Sequence, residues 1–184
     1  MLAHPLLDGY VLRLPEESDA DALAAVVDAD RAYLARWMPW AASNTPEDSL
    51  AFIRSARRQI ADNDGLPMLI EHAGRVVGSI GFHAIDWTHR STSLGYWIAE
   101  AEQGRGVVTS AARAMLDHAF GVWRLNRVEI RCGVDNGRSR AVPERLGFRE
   151  EGTLLEAERV GDRWVDLVLY AMLAADWPGQ ASPS

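Results

Sequence analysis

The chain has 184 residues, 48% hydrophobic and 24% charged, with a formal net charge of −7. That balance suits one globular domain with a substantial core. It is the wrong sign for a general nucleic-acid binder, and no apolar run approaches the roughly 20 residues a membrane span needs. The lone cysteine, Cys132, excludes an internal disulfide and a cysteine metal cluster; with arginine supplying all 19 basic residues and no lysine present, Schiff-base chemistry is excluded too.

The opening MLAHPLLDGY lacks the basic-then-apolar order of a signal peptide, so a cytoplasmic location is expected. Gly9–Leu14 reads as a first strand. Ser18 is suited to cap a helix over Asp21–Asp30, whose Leu23, Val26 and Val27 share a face. Ala32–Ser43 carries Tyr33, Trp37 and Trp40 around Pro39; the tryptophans are either core plugs or the wall of a substrate cleft. Thr45-Pro46-Glu47-Asp48 joins a cap, a proline at the first helical position and first-turn acids. It predicts a helix to about Asn63, ended by Gly65. Pro67–His72 and Arg75–Ala84 form a hairpin about Ala73-Gly74, and Thr92–Ala99 follows across the loop Asp86–Arg90. His83 and His89 lie near that loop without metal-ligand spacing, so no metal site is expected.

Val107–Phe120 has helical spacing through Val108, Ala111, Ala112, Met115 and Ala119. Arg127–Gly133 is a strand in which Cys132 reads as buried filler, a catalytic thiol being the lesser alternative. Asp135-Asn136-Gly137-Arg138-Ser139 opens a short helix that ends at Gly147. Glu151–Arg159 and Trp164–Met172 close the chain as a hairpin, followed by a frayed polar tail over Pro178–Ser184. The sum is an α+β domain: a mixed, mostly antiparallel sheet of about seven strands with about four helices, its core spanning about residues 9–174.

The most informative stretch joins the strand Thr92–Ala99 to the helix at Val107 through Gln103-Gly104-Arg105-Gly106. A strand, a glycine turn and a helix start turn backbone N–H groups and the positive end of the helix dipole toward one point, a site for phosphate oxygens. A P-loop is excluded, since it needs lysine; a dinucleotide fingerprint needs glycine where Thr109 stands, although Glu129 is placed as a ribose-binding acid would be.

A third reading joins two motifs. Gln103-Gly104-Arg105-Gly106-Val107-Val108 resembles the [Q/R]-x-x-G-x-[G/A] turn of the GNAT acetyltransferases, departing from it at Val108. One helix and one strand later, Asn136, Ser139, Val142, Glu144, Leu146, Gly147 and Phe148 stand at the spacing N-x-x-S-x-x-V-x-E-x-L-G-F. That resembles the RimJ/RimL branch, as does the closing hairpin. The resemblance covers about Val11 to Leu173. It implies an acetyl-CoA-dependent N-acyltransferase in which a free amine attacks a thioester directly, without a covalent enzyme intermediate.

By that resemblance, the backbone of Gln103, Gly104, Arg105, Gly106, Val107, Val108 and Thr109 holds the pyrophosphate, with the Thr109 hydroxyl adding a contact. Backbone N–H groups near Ile98 face the thioester and pantetheine arm, Asn136 bonds that arm and Ser139 donates to the departing sulfur. Pro143 stands where many relatives carry a tyrosine acid, which leaves that role to Ser139 or to a water; Pro143 also cannot donate to the Ser139 carbonyl. Glu158 matches the branch's general base, with Glu156 as its competitor two residues away. Trp37, Trp40 and the Asp86–Arg90 loop are expected to shape the acceptor site. The expected acceptor is a protein N-terminal α-amine and the expected assembly a homodimer, with no nucleic-acid or membrane partner. Transfer to a small amine, a longer acyl donor, an acyl-CoA sensor without turnover and a nucleotide binder all stay open.

Overall fold

A computed structural model describes residues 3–179. Eight strands form one sheet in the order β1-β2-β3-β4-β5-β6-β8-β7. They are β1 Ala3–Pro5, β2 Tyr10–Arg13, β3 Leu66–His72, β4 Arg75–Phe82, β5 Ser91–Ile98, β6 Arg127–Gly133, β7 Arg149–Val160 and β8 Arg163–Leu173. The seven expected strands are present, and β1 is an addition: three residues containing a proline at the sheet edge, too short for periodicity to reveal. Every neighbouring pair is antiparallel except β5 and β6. Parallel neighbours need a crossover, here the helix α4, Val107–Asp117.

Two helices cover one sheet face. In α1, Ala20–Ala29, and α3, Pro46–Ala61, the buried Ala20, Leu23 and Ile53 meet Leu69 and Val76 of the sheet. The start of α3 is as expected: the Thr45 side chain accepts from the Asp48 N–H while the Asp48 carboxylate accepts from the Thr45 N–H. The start of α1 is not. Ser18 caps nothing; Glu16 and Asp19 form a reciprocal cap around a tight turn, and α1 begins after it. α3 also stops before Gly65, at Asp62, with Asn63 taking φ +55°. The four-residue α2, Arg31–Leu34, leads into the loop that carries Trp37 and Trp40.

α4 and α5, Gly137–Leu146, cover the other face. Val107, Ala111, Ala112, Met115 and Leu116 of α4 enter the main core with Met68, Ile80, Phe82, Leu94 and Ile130 of the sheet. Fully burying each large aliphatic side chain there contributes about 1.5–3 kcal/mol. The alanine stripe lets α4 approach the sheet closely. After Asp117 its last turn widens into a π-turn over His118–Val122. The core reaches past Leu173, because Trp177 is buried and its indole N–H donates to Asp117 at 2.9 Å. The expected polar tail lies mostly outside the described residues. Among those residues, no helix is long and apolar enough to cross a membrane.

Candidate active site

The sheet opens in its middle. β5 and β6 pair only at Ser91–Arg127, Thr92–Val128 and Ser93–Glu129, while β5 stays paired with β4 as far as Ile98. Beyond Ser93 the parallel strands diverge into a wedge. In the β4–β5 ladder the His83 N–H donates to the Ser93 carbonyl and the Ala99 N–H to the Val77 carbonyl. Odd-numbered residues of β5 therefore bond to β4, and the N–H groups of Tyr96 and Ile98 point into the wedge. Such donors can bind an acyl oxygen or an amide-bearing arm.

The glycine turn closes the wedge at one end. Gly104 and Gly106 take φ +75° and +76°, and an added Cβ on Gly104 would meet nothing within 4 Å. Gly106 caps α4 with no side-chain hydrogen bond, so the first N–H groups of α4 remain available to an anion. Arg113 of α4 and Arg138 and Arg145 of α5 line the same cleft, giving a cationic rim on an acidic protein. The residues present thus fit a phosphate-bearing cofactor. Arg105, expected in the cofactor site, does not line the cleft: its guanidinium bonds the Ala101 carbonyl at 3.4 Å and pairs with Glu102 at 3.6 Å. Gln103 is engaged on both sides, donating to the Tyr33 hydroxyl and accepting from Arg138.

At the start of α5 the Asn136 side chain accepts from the Ser139 N–H at 3.1 Å, so it serves as the helix cap. The Ser139 hydroxyl lies 3.2 Å from the Cys132 sulfur and 3.4 Å from the Tyr96 hydroxyl. Tyr96 donates to the Ser139 carbonyl at 2.9 Å, the carbonyl that Pro143, inside the helix, cannot reach with an N–H. Burial holds the Tyr96 phenol well above its ordinary pKa, with Cys132 adding to the shift, so it remains a neutral donor. Cys132 is buried and its pKa raised by that burial, which suits filler rather than a nucleophile.

The opposite wall is the β7–β8 hairpin with the Trp37–Trp40 loop. Arg163 bonds the Arg36 carbonyl at 3.2 Å, tying the two together. Trp37 comes within 3.7 Å of where a Cβ on Gly133 would stand, and Trp40 tilts against Trp97 at 6.0 Å. Glu158 lines the cleft; burial raises its pKa, and among the described residues no cation or hydrogen bond offsets that. Glu156 does not share its face. The ladder slips between Leu154 and Glu158, Glu156 sits in that slip at φ +48°, and it is exposed outside the cleft. The whole cleft holds about 1720 Å³, beyond what one small ligand needs.

The model of the acetyltransferase (GNAT) domain matches residues 10–149. The putative ribosomal N-acetyltransferase YdaF of Bacillus subtilis is 37% identical over 171 residues, 92% of this chain and 93% of the relative. The chain belongs to the GNAT acetyltransferase family. Among solved GNAT structures, the microcin C7 self-immunity acetyltransferase MccE, in complex with acetyl-CoA and AMP, superposes with a TM-score of 0.85. It is 28% identical, with 90% of this chain and 93% of that one covered. RimL, the ribosomal L7/L12 α-N-protein acetyltransferase, in complex with coenzyme A joined to a cysteine by a disulfide, gives 0.88 at 26% identity. There 93% of this chain and 97% of that one are covered.

In this GNAT enzyme the site residues expected from the sequence, Arg105 apart, converge on one cleft. Trp37, Trp40, Ile98, Gln103, Gly104, Gly106, Val107, Val108, Thr109, Asn136, Ser139 and Glu158 all line it. The Asp86–Arg90 loop does not; Val160, Val165 and Leu167 of the hairpin take its place. Sequence reasoning missed Tyr96 as the partner of the Ser139 carbonyl. Tyr96 reads as an ordinary core aromatic of an alternating strand, and the gap left by Pro143 was the one signal that a donor had to come from elsewhere.

Proposed function

We propose that this GNAT enzyme transfers an acetyl group from acetyl-CoA to the α-amine of a protein N-terminus. The wedge carries the reading: backbone donors of Tyr96 and Ile98 share one cleft with the Ser139 hydroxyl and with the Glu158 carboxylate, which has no cation or hydrogen-bond partner among the described residues. The glycine turn and the first turn of α4 hold the pyrophosphate, and the arginine rim adds to its binding. Acetyl-CoA supplies an acyl group already activated as a thioester. Glu158 accepts a proton from the acceptor nitrogen; its raised pKa brings it closer to an amine's and strengthens it as a base. The N–H groups of the wedge stabilise the developing oxyanion, and the Ser139 hydroxyl donates to the departing sulfur.

The acceptor class rests on the width of the cleft, its tryptophan wall and the names of the relatives. Leu155 and Trp164, 77% and 60% exposed on the outer hairpin, suit the homodimer expected of this branch. The test is acetylation of short peptides beginning with alanine or serine, compared with a polyamine, read by mass spectrometry. Peptide acetylation is expected. Acetylation of the polyamine alone would move the enzyme to small amines, and no binding of acetyl-CoA by folded protein would overturn the reading.

A further inference from the structure

One imidazole lines the cleft, and the chemistry above does not use it. The N–H of His83 donates to the Ser93 carbonyl at 2.9 Å, extending the β4–β5 ladder by one residue pair. Its ring lies over Gly95: an added Cβ there would stand 2.8 Å from Cε1 and 3.0 Å from Nε2, so glycine makes the room. Nδ1 is held 2.9 Å from the Ser93 hydroxyl, while Nε2 has no hydrogen-bond partner among the described residues.

Gly95 lies just past the last β5–β6 pair, and continued register would set it opposite Arg131. The ring therefore stands at the apex of the wedge, where β5 and β6 begin to part, on the sheet face of Gly95 and Trp97. Ser139 and Cys132 occupy the opposite face. Of the elements around the ring, β5 presents Ser93 and Gly95, and β6 presents Arg131, itself paired with Glu129 at 3.0 Å. His83 keeps an exposed edge, but partial desolvation of its ring against the cleft wall and the charge of Arg131 hold the imidazole below its ordinary pKa, against the opposing effect of the Ser93 backbone, so the ring is uncharged at neutral pH.

We infer that His83 removes the first proton from the acceptor's ammonium group and leaves Glu158 the second. This rests on the amine-acetylating function proposed above. An α-amine with a pKa of about 8 arrives mostly as –NH3⁺ at neutral pH. On becoming an amide N–H it loses two protons. One leaves before the lone pair can attack, and one leaves as the C–N bond forms and the C–S bond breaks. Ser139 gives its hydroxyl proton to the departing sulfur and is restored, through water in the cleft, by the equivalent that Glu158 took up, while the proton on His83 passes to solvent. Imidazole is better matched than a carboxylate to the first loss, whereas the second comes from a far more acidic nitrogen.

The test compares native enzyme, His83→Gln and Glu158→Gln, using acetyl-CoA and a peptide with a free N-terminal alanine or serine. The expected result is a loss of about 10²-fold in kcat/KM for His83→Gln near neutral pH, closing to a few-fold by about pH 9.5, where the amine is already neutral. Glu158→Gln is expected to keep its deficit across that range, and both variants to keep the native Kd for acetyl-CoA. A deficit for His83→Gln that is equal at both pH values marks a structural role and overturns the assignment, as does activity within twofold of native. Lack of transfer by the native enzyme overturns the acceptor reading, and the assignment with it.

Discussion

Removing the Tyr96 hydroxyl tests whether a proline inside a helix has recruited a strand residue as its substitute donor. In a regular helix the Ser139 carbonyl would accept from residue 143, which here is proline and has no N–H. The Tyr96 hydroxyl takes that place at 2.9 Å, in contact also with the Ser139 hydroxyl at 3.4 Å and the Cys132 sulfur at 3.8 Å. Tyr96→Phe leaves a half-buried carbonyl unpaired, at a cost of about 1–3 kcal/mol. For a chain of this length that is a fall of about 2–12 °C in Tm. Pro143→Ala returns the missing N–H, so Tyr96→Phe in that background loses the weaker contacts alone, about 0.5 kcal/mol. The double-mutant cycle should therefore show a coupling of about 1–2 kcal/mol in urea denaturation followed by circular dichroism. Additivity within about 0.5 kcal/mol would refute the reasoning, whatever the separate effect of the proline substitution.

Glu158→Gln should lower kcat by about 10²-fold or more without changing acetyl-CoA affinity, and it should also stabilise the fold at neutral pH. Its folded pKa lies above the unfolded one, so the protonated form is the one the fold favours. That favour is complete at acid pH and is lost as pH rises through the raised value, so the gain in Tm should be present at pH 7 and absent below about pH 4. Gly106→Ala forces a left-handed φ on alanine, costing about 1–2 kcal/mol, and should weaken acetyl-CoA binding by calorimetry. The added methyl meets nothing closer than Leu7 at 3.9 Å, so the loss is one of backbone conformation. Gly121→Ala, with open space and no positive φ, should be silent in the same assay.

Local signals carried most of what could be read from the chain in advance. Thr45 and Asp48 announce a helix start because their side chains bond their own backbone. Gly104 and Gly106 announce the turn because their φ values suit few other residues. Long-range meetings were harder to foresee. Tyr96 and Ser139 are 43 positions apart, and nothing local distinguishes a strand tyrosine that serves a distant helix from one that fills the core. The relation of Glu156 to Glu158 failed for another reason. Strand alternation assumes an unbroken ladder, and the slip after Leu154 is a property of the pairing rather than of either strand alone. At the end of its expected strand, His83 drew attention only for lacking metal-ligand spacing, because the place of its ring depends on the missing side chain of Gly95, twelve residues on.

The three residue pairs that join β5 to β6 also bear on how the molecule opens. Around that seam, β1 to β5 form one antiparallel block and β6, β8 and β7 another. Cooperative opening follows the density of buried contacts and backbone pairing, so native-state amide exchange should resolve two units with the seam as their boundary. A ligand seated in the wedge binds both blocks at once and favours only the state in which they are joined. Acetyl-CoA should therefore slow exchange most in the less protected block and bring the two rates together. In that sense the substrate completes the secondary structure, standing where the sheet leaves out a stretch of its own ladder.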